Sequence, residues 1–363
     1  MSKSEIQNAL NKTVQRLTQI KKDPSQEKCP IDIVAFDCWE WPQGVGLYGL
    51  FKYHEQCKDP RLLTFLQNWY DRRIAAGLPA RNVNTTAPLL TLAHLCEITG
   101  NAGHLKICAE WAGWIMRDLP RTGDGGFQHT VTGHLHEQQI WADTLYMTVL
   151  FLAKMGIMLR RQDYIEEAIH QFLVHIKYLF DRETGLWFHG WTFMGRHNFA
   201  RARWARGNCW FTAGVVDFIE MVNPPESVKR FLMETLQAQV GGLAATQAPD
   251  GMWHTLLDDS DSYVETSAVA GFGYGILKGV RKGYLDEKYV QTGRRALAAV
   301  KANILPDGTV DKVSFGTPMG KDLDHYRKIP QCPMAYGQAL AILLLGEALR
   351  LPDNTDFQIG VPK

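Results

Sequence analysis

Two kinds of helical segment alternate along this chain, and the alternation limits the possible folds more than any single motif does. Between Arg161 and Phe180, the residues Ile165, Ile169, Phe172, Ile176 and Leu179 recur at steps of four, three, four and three. That is one apolar stripe on an otherwise polar helix. Leu62, Leu63, Leu66, Trp69 and Tyr70 form a similar stripe, and so do Val228, Phe231, Leu232, Thr235 and Leu236. Between such segments lie others that are apolar nearly all round: Thr144–Met158, Ser267–Leu277 and Tyr336–Leu349. A helix of the first kind borders solvent, whereas one of the second kind must be surrounded by protein.

A repeat reinforces the alternation. Turn motifs recur at Asp124-Gly125-Gly126-Phe127-Gln128-His129, Thr184-Gly185-Leu186-Trp187-Phe188-His189, Asp250-Gly251-Met252-Trp253-His254 and Asp307-Gly308. Their glycines are spaced by 60 (125 to 185), 66 (185 to 251) and 57 (251 to 308) residues. A period near 60 holds two helices with their connections, and 363 residues hold six such units. Units that each bury one face against their neighbours stack or close on themselves. The pattern therefore predicts an all-α fold, a closed (α/α)6 barrel with amphipathic helices outside and apolar ones inside. It reads as one domain over residues 1–363, with roughly the first 30 residues as an outer helix and lead-in.

Composition sets the class of partner. Hydrophobic residues make up 45% and charged residues 21%, enough for a core without disulfides or metals. A formal charge of +1 gives no general attraction to nucleic acid or to an anionic membrane, so an acidic ligand needs a local cation. No run of about 18 apolar residues marks a membrane span, and MSKSEIQNALNKTV has no apolar stretch of signal length. The seven cysteines (Cys29, Cys38, Cys57, Cys96, Cys108, Cys209, Cys332) are odd in number and scattered, which predicts free thiols and a cytoplasmic protein. The chain is expected to be a monomer or homodimer.

The connections are asymmetric. Links from an apolar helix to the next amphipathic one are short, as at 158–163 and 223–226. Links in the other direction are long and carry the repeated motifs, as at 119–142 and 181–205. In an alternating ring all links of one direction fall on one face. Eight of the 11 tryptophans (Trp39, Trp41, Trp141, Trp187, Trp191, Trp204, Trp210, Trp253) lie in the long links or at the helix starts they lead into. Such loops on a rigid scaffold are where a site is expected.

In Trp141-Ala142-Asp143-Thr144, Asp143 stands where a polar loop enters an apolar helix. Such a carboxylate either caps the helix or, desolvated beside Trp141, has its pKa raised toward that of a working acid. One repeat later, Arg206 lies between Trp204 and Trp210, suited to a bidentate grip on a ligand carboxylate or to a structural ion pair. Tryptophan faces can cover the apolar side of a pyranose. Trp41 holds the corresponding place at the first repeat. His129, His134, His136, His189, His254 and His325 lie in the long links, but His134 and His136 in a loop do not make a metal site. No Walker or dinucleotide fingerprint occurs in a strand–helix context, so no cofactor is expected.

Together these residues resemble glycoside hydrolase family 105, the unsaturated rhamnogalacturonyl hydrolases. The shared features are Trp41-x-Gln43-Gly44-Val45, Gly125-Gly126-x-x-His129, Trp141-x-Asp143-x-Leu145-Tyr146-Met147, His189, Trp204-Ala205-Arg206-Gly207-Asn208-x-Trp210 and Asp250-Gly251-x-Trp253. Glu265-Thr266-Ser267 and Tyr336-Gly337 continue the series. The resemblance implies an (α/α)6 barrel and hydration of a 4,5-unsaturated uronic acid at the end of a small pectin-derived oligosaccharide. It implies Asp143 as proton donor, with Arg206, His129, His189 and the tryptophans Trp41, Trp141, Trp204 and Trp210 lining the pocket. One position departs from the family pattern. Where the family has a second aspartate, this chain has Asn84, which cannot titrate. The stretch Thr130–Gln138 is also longer than usual. Helical barrels of this kind also serve sugar epimerases, for which His129 or His189 with His254 would form an acid–base pair. A non-catalytic carbohydrate-binding relative is the third reading.

Overall fold

Segments that are apolar all round have nowhere to go but the centre, and there they form a closed ring. A computed structural model describes residues 2–21 and 35–352; the rest of the predicted lead-in, and Cys29, lie outside the described residues. The inner helices are α2 (Trp41–Cys57), α4 (Val83–Thr99), α6 (Leu150–Met158), α8 (Ala205–Val222), α10 (Thr266–Arg281) and α13 (Ala335–Leu349). Each packs on the next, and α13 packs back on α2. The outer helices are α1 (Lys3–Leu17), α3 (Pro60–Ala75), α5 (Ala102–Arg117), α7 (Gln162–Leu179), α9 (Glu226–Thr246) and α11 (Val290–Ala302). α3, α5, α7, α9 and α11 each pack on the inner helix just before them in the chain, while α1 packs on α13 and so completes the sixth pair. This is the expected (α/α)6 barrel. A short helix, α12 (Leu323–Arg327), lies in the link between α11 and α13.

The repeated turns explain how one unit is seated on the next. Gly125, Gly185, Gly251 and Gly308 have φ of 73°, 77°, 87° and 88°, the left-handed region that disfavours a side chain. At three of these positions space forbids one as well. A Cβ on Gly185 would lie 2.3 Å from the Ala238 carbonyl of α9, one on Gly251 2.5 Å from that of Arg295 in α11, and one on Gly308 2.3 Å from that of Lys12 in α1. Each turn thus rests on the outer helix of the following unit, and the last rests on the first.

The stripe on α7 is displaced from the expected one. Tyr164, Ala168, Gln171, Phe172, His175 and Leu179 are buried, while Ile165 and Ile169 are only half-buried. Gln171 is drawn inside because its amide accepts from Phe127 N (2.7 Å) and donates to the Gly125 carbonyl (3.0 Å) of the turn beside it. On α9, Phe231 stays 43% exposed although it lies on the predicted stripe. The segment expected as one helix from Thr144 begins with a π-helical turn, Leu145–Val149, before α6. Such one-turn bulges re-aim the residues beside them. Asp143 is beside this one.

Inner helices share one direction, so their N-termini converge at one mouth of the barrel and their C-termini at the other. The long links end at the N-terminal mouth. Two of them pair there: β1 (Gln139–Trp141) runs antiparallel to β2 (Gly190–Thr192), with Trp141 opposite Gly190. The ladder continues as Ala142 N–H donates to the His189 carbonyl at 3.0 Å.

Candidate active site

That short ladder brings Asp143 and His189 together from links 46 residues apart. Asp143 Oδ2 lies 3.3 Å from His189 Nε2. Neither atom has a well-directed hydrogen-bond partner, although both are buried. Unpaired buried polar atoms are costly, so a facing pair left open is a place for a ligand to bind. Asp143 Oδ1 accepts from Trp210 Nε1 at 3.1 Å. The carboxylate therefore does not cap its own helix; it is steered across the mouth by α8.

The expected rise in the Asp143 pKa does not occur. Burial pushes it up, but the hydrogen-bonding and charge of His189, with His129 and Arg206 behind, outweigh burial and hold it below the ordinary value. His129 stacks on Trp141, with ring centres 4.1 Å apart and planes at 14°, and its Nδ1 lies 2.8 Å from Thr144 Oγ1. Burial holds the His129 pKa down to about 3, with the neighbouring histidines adding to the effect and Asp143 opposing it. This ring is neutral at physiological pH and is tied to a hydroxyl. His254, the other member of the alternative acid–base pair, has its Nδ1 against the Ser262 carbonyl.

The tryptophans do not stand as open platforms. Trp141, Trp204 and Trp210 are buried. Trp141 is covered by His129 and by His136, whose ring centre is 4.5 Å away, and Trp204 packs on His189 at 4.4 Å. Trp41 keeps part of its surface exposed while stacking on Tyr336 (4.6 Å, 20°) and meeting Trp210 edge-on (6.1 Å). In a ring this crowded the aromatic groups position one another before they meet a ligand.

Arg206 is also placed differently from a simple carboxylate grip. Its Nη1 donates to the Ser314 carbonyl (2.6 Å) and its Nη2 to the Phe315 carbonyl (2.8 Å). The guanidinium lies between the rings of Trp204 (4.5 Å) and Tyr336 (4.8 Å), with Glu265 Oε1 at 3.8 Å. Its planar fork is occupied by the loop at 314–315, and only Nε is buried without a partner. Asn84, in the first turn of α4, is half-buried and makes no side-chain hydrogen bond among the described residues.

Among the described residues three carboxylates stand at the starts of inner helices. Glu265, fully buried at the start of α10, accepts from the backbone N–H of Ser267, Ala268 and Ser314. Glu40 caps α2 through Trp41 N–H at 2.9 Å, and burial raises its pKa. Asp143 alone is paired with a histidine. Sequence reasoning missed Tyr326 of α12, whose hydroxyl lies 2.8 Å from His189 Nδ1; His325 beside it drew attention instead, and it bonds to Thr317. Tyr336 and Glu265 were visible in the motif series but were not marked as site residues.

A six-hairpin helical barrel, with an aromatic mouth built around one carboxylate and a histidine, defines a glycoside hydrolase of the helical-barrel type. The model described as Glycosyl Hydrolase Family 88 matches residues 12–352, and the chain belongs to that family. It is 33% identical over 315 residues to the unsaturated rhamnogalacturonyl hydrolase YesR of Bacillus subtilis (strain 168), covering 86% of this chain and 90% of that one. A structure from Salmonella enterica described as a possible member of the GH105 family superposes with TM-score 0.94 at 46% identity, covering 96% and 95% of the two chains. One from Klebsiella pneumoniae with the same description gives 0.92 at 48%, covering 96% and 94%. These findings agree with the family resemblance in the motifs.

Proposed function

We propose that this glycosidase hydrates the 4,5 double bond of an unsaturated uronic acid at the non-reducing end of a short oligosaccharide, and so releases the sugar attached to it. The substrate fits an unsaturated galacturonyl-rhamnose from rhamnogalacturonan, a product of pectin breakdown, in line with the name of the Bacillus relative. The observation that carries the reading is the open pair Asp143 Oδ2 and His189 Nε2. Most glycosidases need two working carboxylates at a defined separation. Hydration of a vinyl ether needs one group that gives a proton and takes one back.

In this reading the Asp143 proton goes to C4, and the cation that forms at C5 is shared with the ring oxygen. Water adds at C5 and returns its surplus proton to Asp143. The C5 hemiketal opens, and the hemiacetal left at C1 expels the aglycone alcohol. His189 steadies the Asp143 carboxylate formed in the first step. Arg206 and the converging N-termini of the inner helices give this mouth a positive field for the substrate carboxylate. Trp41, Trp141, Trp204, Trp210, His129 and Asn84 shape the pocket. We place the reaction in the cytoplasm, a compartment that suits six described cysteines of which none forms a disulfide. Among the described residues no helix is long and apolar enough to cross a membrane.

The test is a panel of lyase-generated disaccharides, followed by loss of the ultraviolet absorbance of the vinyl ether. Loss with release of the reducing sugar supports the reading. Solvent deuterium entering a saturated sugar without cleavage would replace it with epimerisation.

A further inference from the structure

The chain of contacts behind His189 has no part in the proton transfer described above. His189 Nδ1 lies 2.8 Å from the Tyr326 hydroxyl, which also accepts from Gly320 N–H at 3.1 Å and lies 3.4 Å from Met319 Sδ. Tyr326 is fully buried on α12. That helix is capped by Asp322, which accepts from His325 N (2.9 Å), and is tied to the 255–262 loop by Arg327, which bonds to Asp259 (2.7 Å). A buried phenol held this firmly, on the only ring nitrogen of His189 that does not face Asp143, constrains where the His189 proton can be.

We infer that Tyr326 is a positioning residue for Asp143, acting through His189 by keeping the ring proton on Nε2, toward Asp143 Oδ2. The Tyr326 oxygen already accepts from Gly320 N–H, and its own hydrogen finds a far better acceptor in a bare Nδ1 than in the Met319 thioether. When His189 is neutral, the Tyr326 hydroxyl donates to Nδ1, and the single ring proton is on Nε2. When His189 is cationic, both ring nitrogens carry protons; the Tyr326 oxygen accepts from Nδ1, and its own hydrogen turns to Met319 Sδ. In both states an N–H faces Asp143. A hydroxyl can serve both states because it donates and accepts; an amide or a carboxylate in its place would favour one of them. The other neutral tautomer would set the bare Nε2 lone pair against the Asp143 carboxylate, which is repulsive.

This inference rests on the reading of Asp143 as the proton donor. The N–H on Nε2 supports the carboxylate that forms as the proton leaves for C4, and so makes Asp143 a stronger acid at the moment of transfer. The titratable groups facing His189 are Asp143 before α6, His129 from the preceding link and Tyr326 on α12, while the Arg206 charge on α8 acts on Asp143. Trp141 and Trp204 close the remaining sides of the ring with apolar surface. Among the described residues only Tyr326 bonds to Nδ1.

The test begins with the unmodified, substrate-free enzyme. Nitrogen-15 NMR, with the His189 signals assigned by their absence in His189→Gln, is expected to show a proton on Nε2 in neutral His189. A neutral ring with its proton on Nδ1 overturns the inference without any variant of Tyr326. Tyr326→Phe is then expected to mix the two tautomers, lower kcat by about tenfold and leave KM within about twofold. Because the Asp143 carboxylate loses support, its acid form persists to higher pH, and the alkaline limb is expected to move up by about half a unit or more. Placed on His189→Gln, the same change is expected to cost nothing further. Equal losses on both backgrounds, or a lower rate with an unmoved limb, would make Tyr326 a packing residue only. If the wild-type enzyme turns over no unsaturated uronide, the proposed function fails, while the NMR result still decides the role of Tyr326.

Discussion

The two mouths of this barrel are built from the same six inner helices, yet they have opposite characters. At the N-terminal mouth charges are few and rings are many: Asp143, His189 and Arg206 are set among Trp41, Trp141, Trp204, Trp210, Tyr326 and Tyr336. At the C-terminal mouth a cavity of about 530 Å³ is lined by Lys52, Lys58, Lys154 and Arg350 with Glu55, Glu97, Asp217 and Glu220. Lys278 bridges Asp217 and Glu220, and Lys282 also pairs with Glu220. Burial pushes the Glu220 pKa up, but Lys278 and Lys282 outweigh it and hold it at about 2. Helix dipoles account for the division, because carbonyl ends attract the lysines and N–H ends attract an anion. The charges around this cavity are mostly paired with one another, although His94 Nε2 is buried there without a partner. What sets the N-terminal mouth apart is a carboxylate and a histidine that face each other without a well-directed partner.

The sharpest way to break this comparison is Asp143→Asn, which keeps shape and hydrogen bonding but removes the titrating proton. It is expected to lower kcat by about 10²–10⁴ while KM changes little. Near-normal turnover, combined with loss in Glu40→Gln, would move the acid to the buried carboxyl at the start of α2. The pH profile adds a sign. In the free enzyme the Asp143 pKa is held down, so kcat/KM is expected to fall with rising pH from the acid side. A bound substrate carboxylate disfavours a second negative charge and raises that pKa. The alkaline limb of kcat is therefore expected at higher pH than that of kcat/KM, and coincident limbs would count against Asp143.

At the opposite mouth Lys278→Met is expected to act on stability alone. Lys278 is buried, and removing it strands Asp217, which is left with Tyr48 and Tyr274 as partners. Breaking a buried pair from one side costs about 3–5 kcal/mol. Denaturant melts are expected to show the loss, while kcat of the folded protein stays at the wild-type level. A fall in kcat with intact stability would show that the two mouths are coupled.

Arg206→Lys distinguishes a field from a grip. The charge remains, but an ammonium cannot serve both the Ser314 and Phe315 carbonyls in one plane. Stability is expected to fall by about 1–3 kcal/mol. KM is expected to stay within about threefold, since the field at the mouth persists. A tenfold or greater rise in KM without loss of stability would restore the bidentate hold on the substrate that the sequence alone suggested.

How far the sequence could be read depends on the range of the interactions. Ring and hairpins were legible because burial repeats every two helices, and Gly185, Gly251 and Gly308 mark the joints. Asp143 was legible as a loop-to-helix junction. His189 was legible as a pocket residue, but its pairing with Asp143 was not, because it forms through strands three residues long, too short to leave a period. Tyr326 is 137 residues from His189 in an aperiodic link and had no signal at all. The pKa direction was misjudged because neighbours in sequence report burial, whereas His189, His129 and Arg206 arrive through space. The tryptophans were legible as a group, but their packing was not: Trp141 lies against His129 and His136, Trp204 against His189, and Trp41 against Trp210 and Tyr336.

Asn84 gives the smallest expected effect and the finest test of the N-terminal mouth. It lies in the first turn of α4, behind the Asn82 cap, with its side chain making no hydrogen bond among the described residues. Asn84→Asp therefore disrupts no bond in the described structure. A carboxylate in the first turn of a helix gains about 0.3–1 kcal/mol from the dipole, so stability is expected to hold or rise slightly. The catalytic effect works through charge. A second anion at this mouth disfavours the Asp143 carboxylate, raises its pKa and moves the alkaline limb upward, by about half a unit if the two groups share the pocket. The same charge repels the substrate carboxylate, so KM is expected to rise a few-fold. Limb and KM must move together, because one field produces both. A limb that moves with KM unchanged would place Asn84 beside Asp143 but away from the uronate. If neither moves, Asn84 is outside the electrostatic reach of the site, and Asp143 works with His189 alone.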